Sequence, residues 1–526
     1  MKSLHILKLT LVMTAVLAIS CKENTAQKNT EGSNKPAMDE SSSYYQEPYR
    51  PQYHFSPEAN WMNDPNGLVF YKDTYHLFYQ YYPEDTKWGP MHWGHATSSN
   101  LKDWTHKPVA LEPDSLGYIF SGSAVVDKEN SSGFGSAENP PMVAMFTYHN
   151  AEMAEAGRKD YQTQGIAYSL DNGESWTKYE GNPVVPNIDQ GIDFRDPKIF
   201  WHEDSKKWIL VLVAGDHAQI YNSSDLKKWT FLSDFGQKMG AHGGVWECPD
   251  LFPLITESGK EKWVLLISIN PGAPNGGSGT QYFVGEFDGK KFTTSQKDEK
   301  WIDWGRDNYA GVTFNNMPEA NRVFIGWMSN WNYGEQTPTE KWRSAMTLPR
   351  KLELHDQNDY MLSNYPVAAI TEGLNYEDIP SENLKKIENN KLNQAHIEFE
   401  LPNNPTDFRI IFSNSKKDSL FVGYSKAQNQ FYVDRIASGK TDFSDKYADR
   451  IMTAPATFDE DGGTKLSIFT DQSSIEFFVD GGMTAMTAQV FPQEPYTLLN
   501  IETDESVKNL KLAPISSIWK TNNPTN

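Results

Sequence analysis

Apolar and polar positions alternate in short bursts along most of the chain, separated by turn residues, and no apolar stripe at helical spacing reaches ordinary helix length. Residues 75–80, 144–148, 208–213, 263–269 and 323–328 are runs of β-branched and aromatic side chains bounded by turn formers, and each predicts a strand. A degenerate motif punctuates them. The polar turn 99–104, which ends on Trp104, returns at 169–176 ending on Trp176, at 223–229 ending on Trp229, and more faintly at 286–292 ending on Phe292. A period of about 50–70 residues suits one four-stranded propeller blade, so residues 48–355 predict about five blades. Residues 356–385 are rich in Asn, Asp and Pro and predict a connection. Strand-like alternation resumes at 395–401, 408–412, 420–424, 430–435, 465–470, 474–479 and 486–491, which predicts a sandwich over 386–520. The expected fold class is therefore all-β: a five-bladed β-propeller followed by a C-terminal β-sandwich.

The amino terminus has a different pattern. Lys2 and Lys8 precede an apolar run over 9–19 that is too short to span a bilayer, and Ala18, Ile19 and Ser20 lead to Cys21. This resembles a bacterial lipoprotein signal over 1–21 with lipid added at Cys21; an ordinary cleaved secretory signal is the alternative. Residues 22–47, rich in Asn, Glu, Lys and Ser, predict a flexible tether. The expectation is export, with the protein anchored to a bacterial membrane at the outer membrane or cell surface, or else periplasmic or secreted. The only other cysteine is Cys248, so a lipidated Cys21 leaves no disulfide partner.

Composition sharpens the functional reading. Aromatics make up 13% of the 526 residues, with 16 Trp, which fits clefts that stack against sugar rings. A formal net charge of -21 argues against nucleic acid as a partner. Three distant segments share one local design, a carboxylate beside a proline among aromatic or amide neighbours: 61–67 with Asp64-Pro65, 194–197 with Asp196-Pro197, and 246–249 with Glu247 two residues before Pro249. The residue before a proline is biased toward extended backbone. Glycosidic cleavage needs two carboxyl groups with opposed jobs, and a third can steady the cation-like sugar between them. Asp64 suits the nucleophile, with Asn63 and Asn66 as amide donors to its charged form. Glu247 suits the acid/base, its longer stem reaching the leaving oxygen and Trp246 beside it expected to keep it protonated. Asp196 suits the transition-state stabiliser, expected to be held ionised by Arg195. No His/Cys/Asp cluster has metal-ligand spacing, so no cofactor or metal is expected and activity should survive chelation. His92 and His95 read as strand residues.

The three segments resemble the signatures of glycoside hydrolase family 32, the invertases, inulinases and levanases. So do 88–95, 120–124, 326–331 and 474–478, so the resemblance covers nearly everything after the tether. It implies a five-bladed propeller with a β-sandwich, retaining hydrolysis of β-fructofuranosides, and the roles given above to Asp64, Asp196 and Glu247. It further implies a terminal-fructose pocket lined by Asn63, Gln80, Trp88, Phe120, Ser121, Arg195, Asp307, Tyr309 and Trp331. The Gly-rich run 270–280 resembles a loop of exo-acting levanases and inulinases, so the expected partner is a fructan or fructo-oligosaccharide (levan, inulin, also sucrose). Two alternatives use the same features: a fructosyltransferase working through the same covalent intermediate, and a non-catalytic fructan-binding surface lipoprotein.

Overall fold

The computed structural model describes residues 44–519, apart from 190, 319–320, 381–383, 404 and 459–461. Cys21 and the signal reading lie outside the described residues. Among the described residues the fold is all-β: they form seven antiparallel-dominated sheets, with two α-helical segments of a single turn or so, Ala151–Glu155 and Ala368–Thr371.

Five sheets come first. Their opening strands are Asn60–Tyr71, Tyr118–Val126, Phe194–His202, Val245–Ile255 and Tyr309–Thr313. Each sheet then steps outward through successive antiparallel neighbours. Every opening strand touches the next, and the fifth returns to the first, so the five form a closed ring. Buried polar groups tie the ring along its axis. Asn315 Nδ2 donates to the carbonyls of Ala124 (2.8 Å) and Ile199 (3.1 Å), while its own N–H reaches Leu68. Lys198 Nζ donates to Asp250 Oδ2 (3.0 Å) and the Thr313 carbonyl (2.7 Å), which joins the third, fourth and fifth strands. A charge buried this deeply persists only because it is paired and hydrogen-bonded.

The repeat seen in the sequence joins the third and fourth strands of each of the first four sheets. In the first copy Ser98 Oγ accepts the N–H of Leu101 (2.9 Å), and Asn100 Oδ1 accepts that of Asp103 (2.8 Å). In the third copy Asp225 Oδ1 accepts from Lys227 and Lys228 (2.9 and 2.8 Å), and Trp229 Nε1 donates to the Leu226 carbonyl (3.1 Å). These are side-chain-closed turns of the kind Ser, Asp and Asn favour. The fifth sheet uses a different turn, 356–360, between Arg350–His355 and Met361–Pro366. The expected connection 356–385 thus holds a strand of the fifth sheet, and also Glu377–Asp378, which pairs with Lys508–Pro514.

Two six-stranded sheets follow and face each other across one apolar core that includes Ile397, Phe412, Val433, Ile468 and Phe477. Residues 44–47, the end of the expected tether 22–47, are docked on the fold. Tyr45 stacks on Trp519 with ring centroids 4.0 Å apart and bonds His106 at 2.5 Å, and Glu47 grips Arg50 at 2.7 Å. An aromatic and an ion pair give 44–47 enough contact to dock.

Candidate active site

One irregularity recurs in all five opening strands at the same depth. Against their neighbours, Asn63-Asp64 oppose Gln80, Phe120-Ser121 oppose Thr147, Asp196-Pro197 oppose Leu212, Cys248-Pro249 oppose Ile267, and Ala310-Gly311 oppose Gly326. Two residues against one is a β-bulge, which breaks the alternation and re-aims a side chain. Five bulges on a ring turn five sets of side chains toward one end of its axis. Three of the bulged residues have left-handed backbone, Asp196 (φ 59), Cys248 (φ 46) and Ala310 (φ 53). The pre-proline positions Asp196 and Cys248 therefore depart from the negative-φ extended geometry expected of them. The proline still fits, because a bulge is where the ladder loses a donor and Pro has none to lose.

The three carboxylates meet there. Asp64 Oδ2 accepts from Ser121 Oγ (2.7 Å), and Asp64 Oδ1 accepts from Asn63 Nδ2 (3.0 Å). The Cys248 thiol lies between two of them, 3.5 Å from Asp64 Oδ2 and 3.6 Å from Asp196 Oδ2, and the Cys248 N–H donates to Asp196 Oδ2 at 3.0 Å. Arg195 links the other pair: Nη2 is 3.0 Å from Glu247 Oε1, Nε is 4.0 Å from Asp196 Oδ2, and Nη1 binds Asp193 at 2.5 Å. The Tyr309 hydroxyl donates to Glu247 Oε2.

Electrostatics follow from this crowding. Burial pushes Asp196 up to about 7; Arg195 opposes the shift, while the charges of Glu247 and Asp64 add to it. Arg195 thus fails to hold Asp196 fully ionised, because its donors go to Asp193 and Glu247 and only its charge, 4.0 Å away, acts on Asp196. Burial and then Glu247 also raise Asp64, against the hydrogen bonds from Ser121, Asn63 and Cys248. Burial, with the same carboxylates, drives the Cys248 thiol and the Tyr309 phenol far above their ordinary ranges, so both are neutral donors.

The remaining expected residues divide. Gln80 is buried opposite the first bulge, and its Nε2 holds the Ile119 carbonyl at 3.0 Å. Phe120 lies flat on His149 at 4.3 Å and meets the edge of Trp88, which is 38% exposed at the mouth. Trp331 packs on Trp327 at 4.9 Å, and its N–H is held by Ser278 Oγ of the Gly-rich run at 3.1 Å. Asp307 does not join them. It is fully buried, with Oδ2 on Arg435 and the Gln489 N–H and Oδ1 on the Tyr333 hydroxyl, all in the contact with the sandwich. Asn66 leaves Asp64 as well: its Oδ1 accepts from the Gly122 N–H at 3.3 Å. Trp246 faces away from Glu247, as adjacent strand positions must, and its indole N–H binds the Ala241 carbonyl at 2.9 Å.

Sequence reasoning missed the Cys248 thiol, which lay inside a quoted motif, and Thr147, whose Oγ1 accepts the Asp196 N–H at 2.9 Å. It also missed Asp193, whose only signal was an acid two positions before Arg195. Among the described residues, no group of three or more His, Cys, Asp or Glu is arranged to hold a metal.

A ring of sheets with three carboxylates at one end of its axis, beside a sandwich, defines a carbohydrate-cleaving β-propeller enzyme. Comparison with known proteins names the family. Residues 54–366 match the model described as glycosyl hydrolases family 32 N-terminal domain, and 369–515 that of the family 32 C terminal. A levanase of Bacillus subtilis is 44% identical over 512 residues, 91% of this chain and 72% of that protein. An extracellular exo-inulinase of Aspergillus awamori is 43% identical over 487 residues, 85% of this chain and 90% of that one. Among solved structures, exo-inulinase from Aspergillus awamori superposes with a TM-score of 0.81 at 38% identity, covering 90% of this chain and 100% of the other. The β-fructofuranosidase from Schwanniomyces occidentalis, complexed with fructosyl-erythritol, gives 0.78 at 34%, covering 91% and 99%. The chain belongs to glycoside hydrolase family 32.

Proposed function

We propose that this protein is a retaining exo-fructanase that removes terminal β-D-fructofuranosyl residues from levan or inulin, and also cleaves sucrose. The names of its relatives support the substrate class. The observation that carries the reading is the convergence just described, with Cys248 joining Asp64 to Asp196 and Arg195 joining Asp196 to Glu247. In this reading the five sheets are the blades of a propeller that ends with Met361–Pro366, and the sandwich takes the described residues of 386–519 together with Glu377–Asp378.

An Asp64 oxygen attacks the anomeric carbon, the glycosidic C–O bond breaks, and Glu247 passes its proton to the leaving oxygen. Tyr309 and Arg195 fix the direction of the Glu247 carboxyl. Asp196 stabilises the oxocarbenium-like sugar and grips its hydroxyls. Water then loses a proton to Glu247 and attacks the same carbon, the ester to Asp64 breaks, and fructose leaves with its configuration retained. Fructose release from levan, inulin and sucrose, measured side by side, tests the assignment. Asp64→Asn and Glu247→Gln are each expected to lose at least about a thousandfold in kcat with an unchanged circular dichroism spectrum. A wild-type-like rate in either overturns it. Export as a lipoprotein anchored through Cys21 belongs to the same proposal, and Cys21→Ser is expected to move activity out of the membrane fraction; activity that stays there would count against the anchor.

A further inference from the structure

The opening strands run on past the carboxylates to the other end of the ring axis, where they frame a second cavity of about 810 Å³. Its walls come from Val125-Val126, Phe200-Trp201, Leu251-Phe252 and Met317, three to five positions beyond the bulged residues of the second to fourth strands and past the end of the fifth. Three to five residues of strand span about 10–17 Å, so the cavity is separate from the catalytic pocket. The buried Lys198–Asp250 pair lies between the two in the third and fourth strands, and Asn315, in the cavity lining, cross-links the second and third.

The cavity is built like a sugar site. Trp201 stands at its mouth 36% exposed, and it and Trp88 are the two most exposed tryptophans among the described residues; the second guards the catalytic mouth. Leaving an indole in water forgoes a large burial gain, so a fixed, solvated ring marks a contact surface. The ring is fixed: its N–H donates to Glu203 Oε2 at 2.5 Å, and Trp208 braces it edge-on at 5.2 Å. Carboxylates outnumber cations five to three in the lining, and Lys206 already pairs with Glu203. With the chain at -21 overall, this disfavours a polyanion, and the mixed donors and acceptors of the lining fit the hydroxyls of a neutral polyol. The volume lies in the range of ligand sites, roughly 300–1,000 Å³.

Resting on the fructan reading above, we propose that this far-face cavity is a second, non-catalytic binding site for an internal stretch of the β-fructan chain, with Trp201 as its stacking platform. An exo-acting enzyme meets one chain end at a time, and a second grip on the same polymer raises the effective concentration of ends at the catalytic mouth.

The test is affinity electrophoresis of Glu247→Gln, which cannot digest the gel, through levan, inulin or dextran with saturating fructose filling the catalytic pocket. Retention by a fructan but not by dextran is expected. Adding Trp201→Ala, or Met317→Arg from the opposite wall, should weaken it about three- to tenfold. In the Glu247 background both changes should leave sucrose hydrolysis unaltered. If Trp201→Ala fails to fold, Met317→Arg decides. Equal retention with and without these changes, equal retardation by dextran, or no retention at all overturns the second site. Failure of the fructanase reading is seen separately, as absent fructose release by the wild-type enzyme.

Discussion

Burial sets the charge state of Asp64 and Asp196 before any sugar arrives. Asp64 and Asp196 are both raised, and each is raised further by charge on Glu247. Three acids this close cannot all ionise cheaply, and the site holds them at the cost of folding stability. Asp196 has a folded value of about 7 against an ordinary 3.8, so the folded state binds more protons than the unfolded one between those values. Its contribution is fully favourable below about 4 and is lost as pH rises through 7. Asp196→Asn is therefore expected to raise the melting temperature at pH 8 relative to wild type and to leave it nearly unchanged at pH 4. The same change should cut kcat by about a hundred- to a thousandfold, since it removes charge from the transition state. Calorimetry at the two pH values checks the first part; a lower melting temperature at pH 8 would show that Asp196 is held by its partners and not strained by them.

The bulges decide what could be read from the sequence. Strand positions, the turn motif and the three carboxylate segments were legible because periodicity, turn residues and proline leave marks along the chain. Four copies of the motif correspond to four of the five sheets; the fifth closes through 356–360 and leaves no such mark. The direction of side chains was less legible. Adjacency in sequence places Asn66 and Trp246 at the site, and a bulge or a plain alternation turns each elsewhere. Asp307 followed a motif and found Arg435, 128 residues away, which no local pattern announces. At the second bulge, an added Cβ on Gly122 would lie 2.0 Å from the Met145 carbonyl oxygen, in the neighbouring strand's backbone. Gly122→Ala must therefore push the strands apart, costing about 1–3 kcal/mol, and displace Phe120 and Ser121 with them. Gly133 is the matched comparison, with φ +69 and open space around its Cβ direction. Gly133→Ala should lose about 1 kcal/mol from backbone strain alone and keep full kcat. Denaturant midpoints and sucrose kinetics of the two variants separate packing at the bulge from a general glycine effect. Equal kcat in both would show that the bulge does not position the pocket.

Across the whole molecule, the sandwich is locked to the ring by charge buried on both sides. Arg350 of the fifth sheet donates to Glu476 Oε2 (2.7 Å), Asp303 Oδ2 (2.8 Å) and Asn364 Oδ1 (2.7 Å). The other Glu476 oxygen takes Nε2 of His54 at 3.0 Å, while His54 Nδ1 binds Asp471 at 2.9 Å. Burial alone would pull His54 down, but carboxylates on both ring nitrogens outweigh it and raise it to about 9, so the imidazolium is the resident form at neutral pH. Because its folded value lies above the ordinary 6.5, His54 contributes fully below about pH 6.5 and loses that contribution as pH rises through 9. The span corresponds to about 3 kcal/mol. The melting temperature of the wild type is expected to fall between pH 7 and pH 9.5 as the lock deprotonates and leaves two facing carboxylates under-neutralised. His54→Gln keeps a donor toward one carboxylate but cannot carry the charge, so it should be less stable at pH 7 with a flatter decline toward pH 9.5. A pH slope as steep in His54→Gln as in wild type would place the alkaline transition elsewhere. The catalytic end is built from the ring alone, so the same variant, assayed at pH 6 and moderate temperature, should retain its kcat on sucrose.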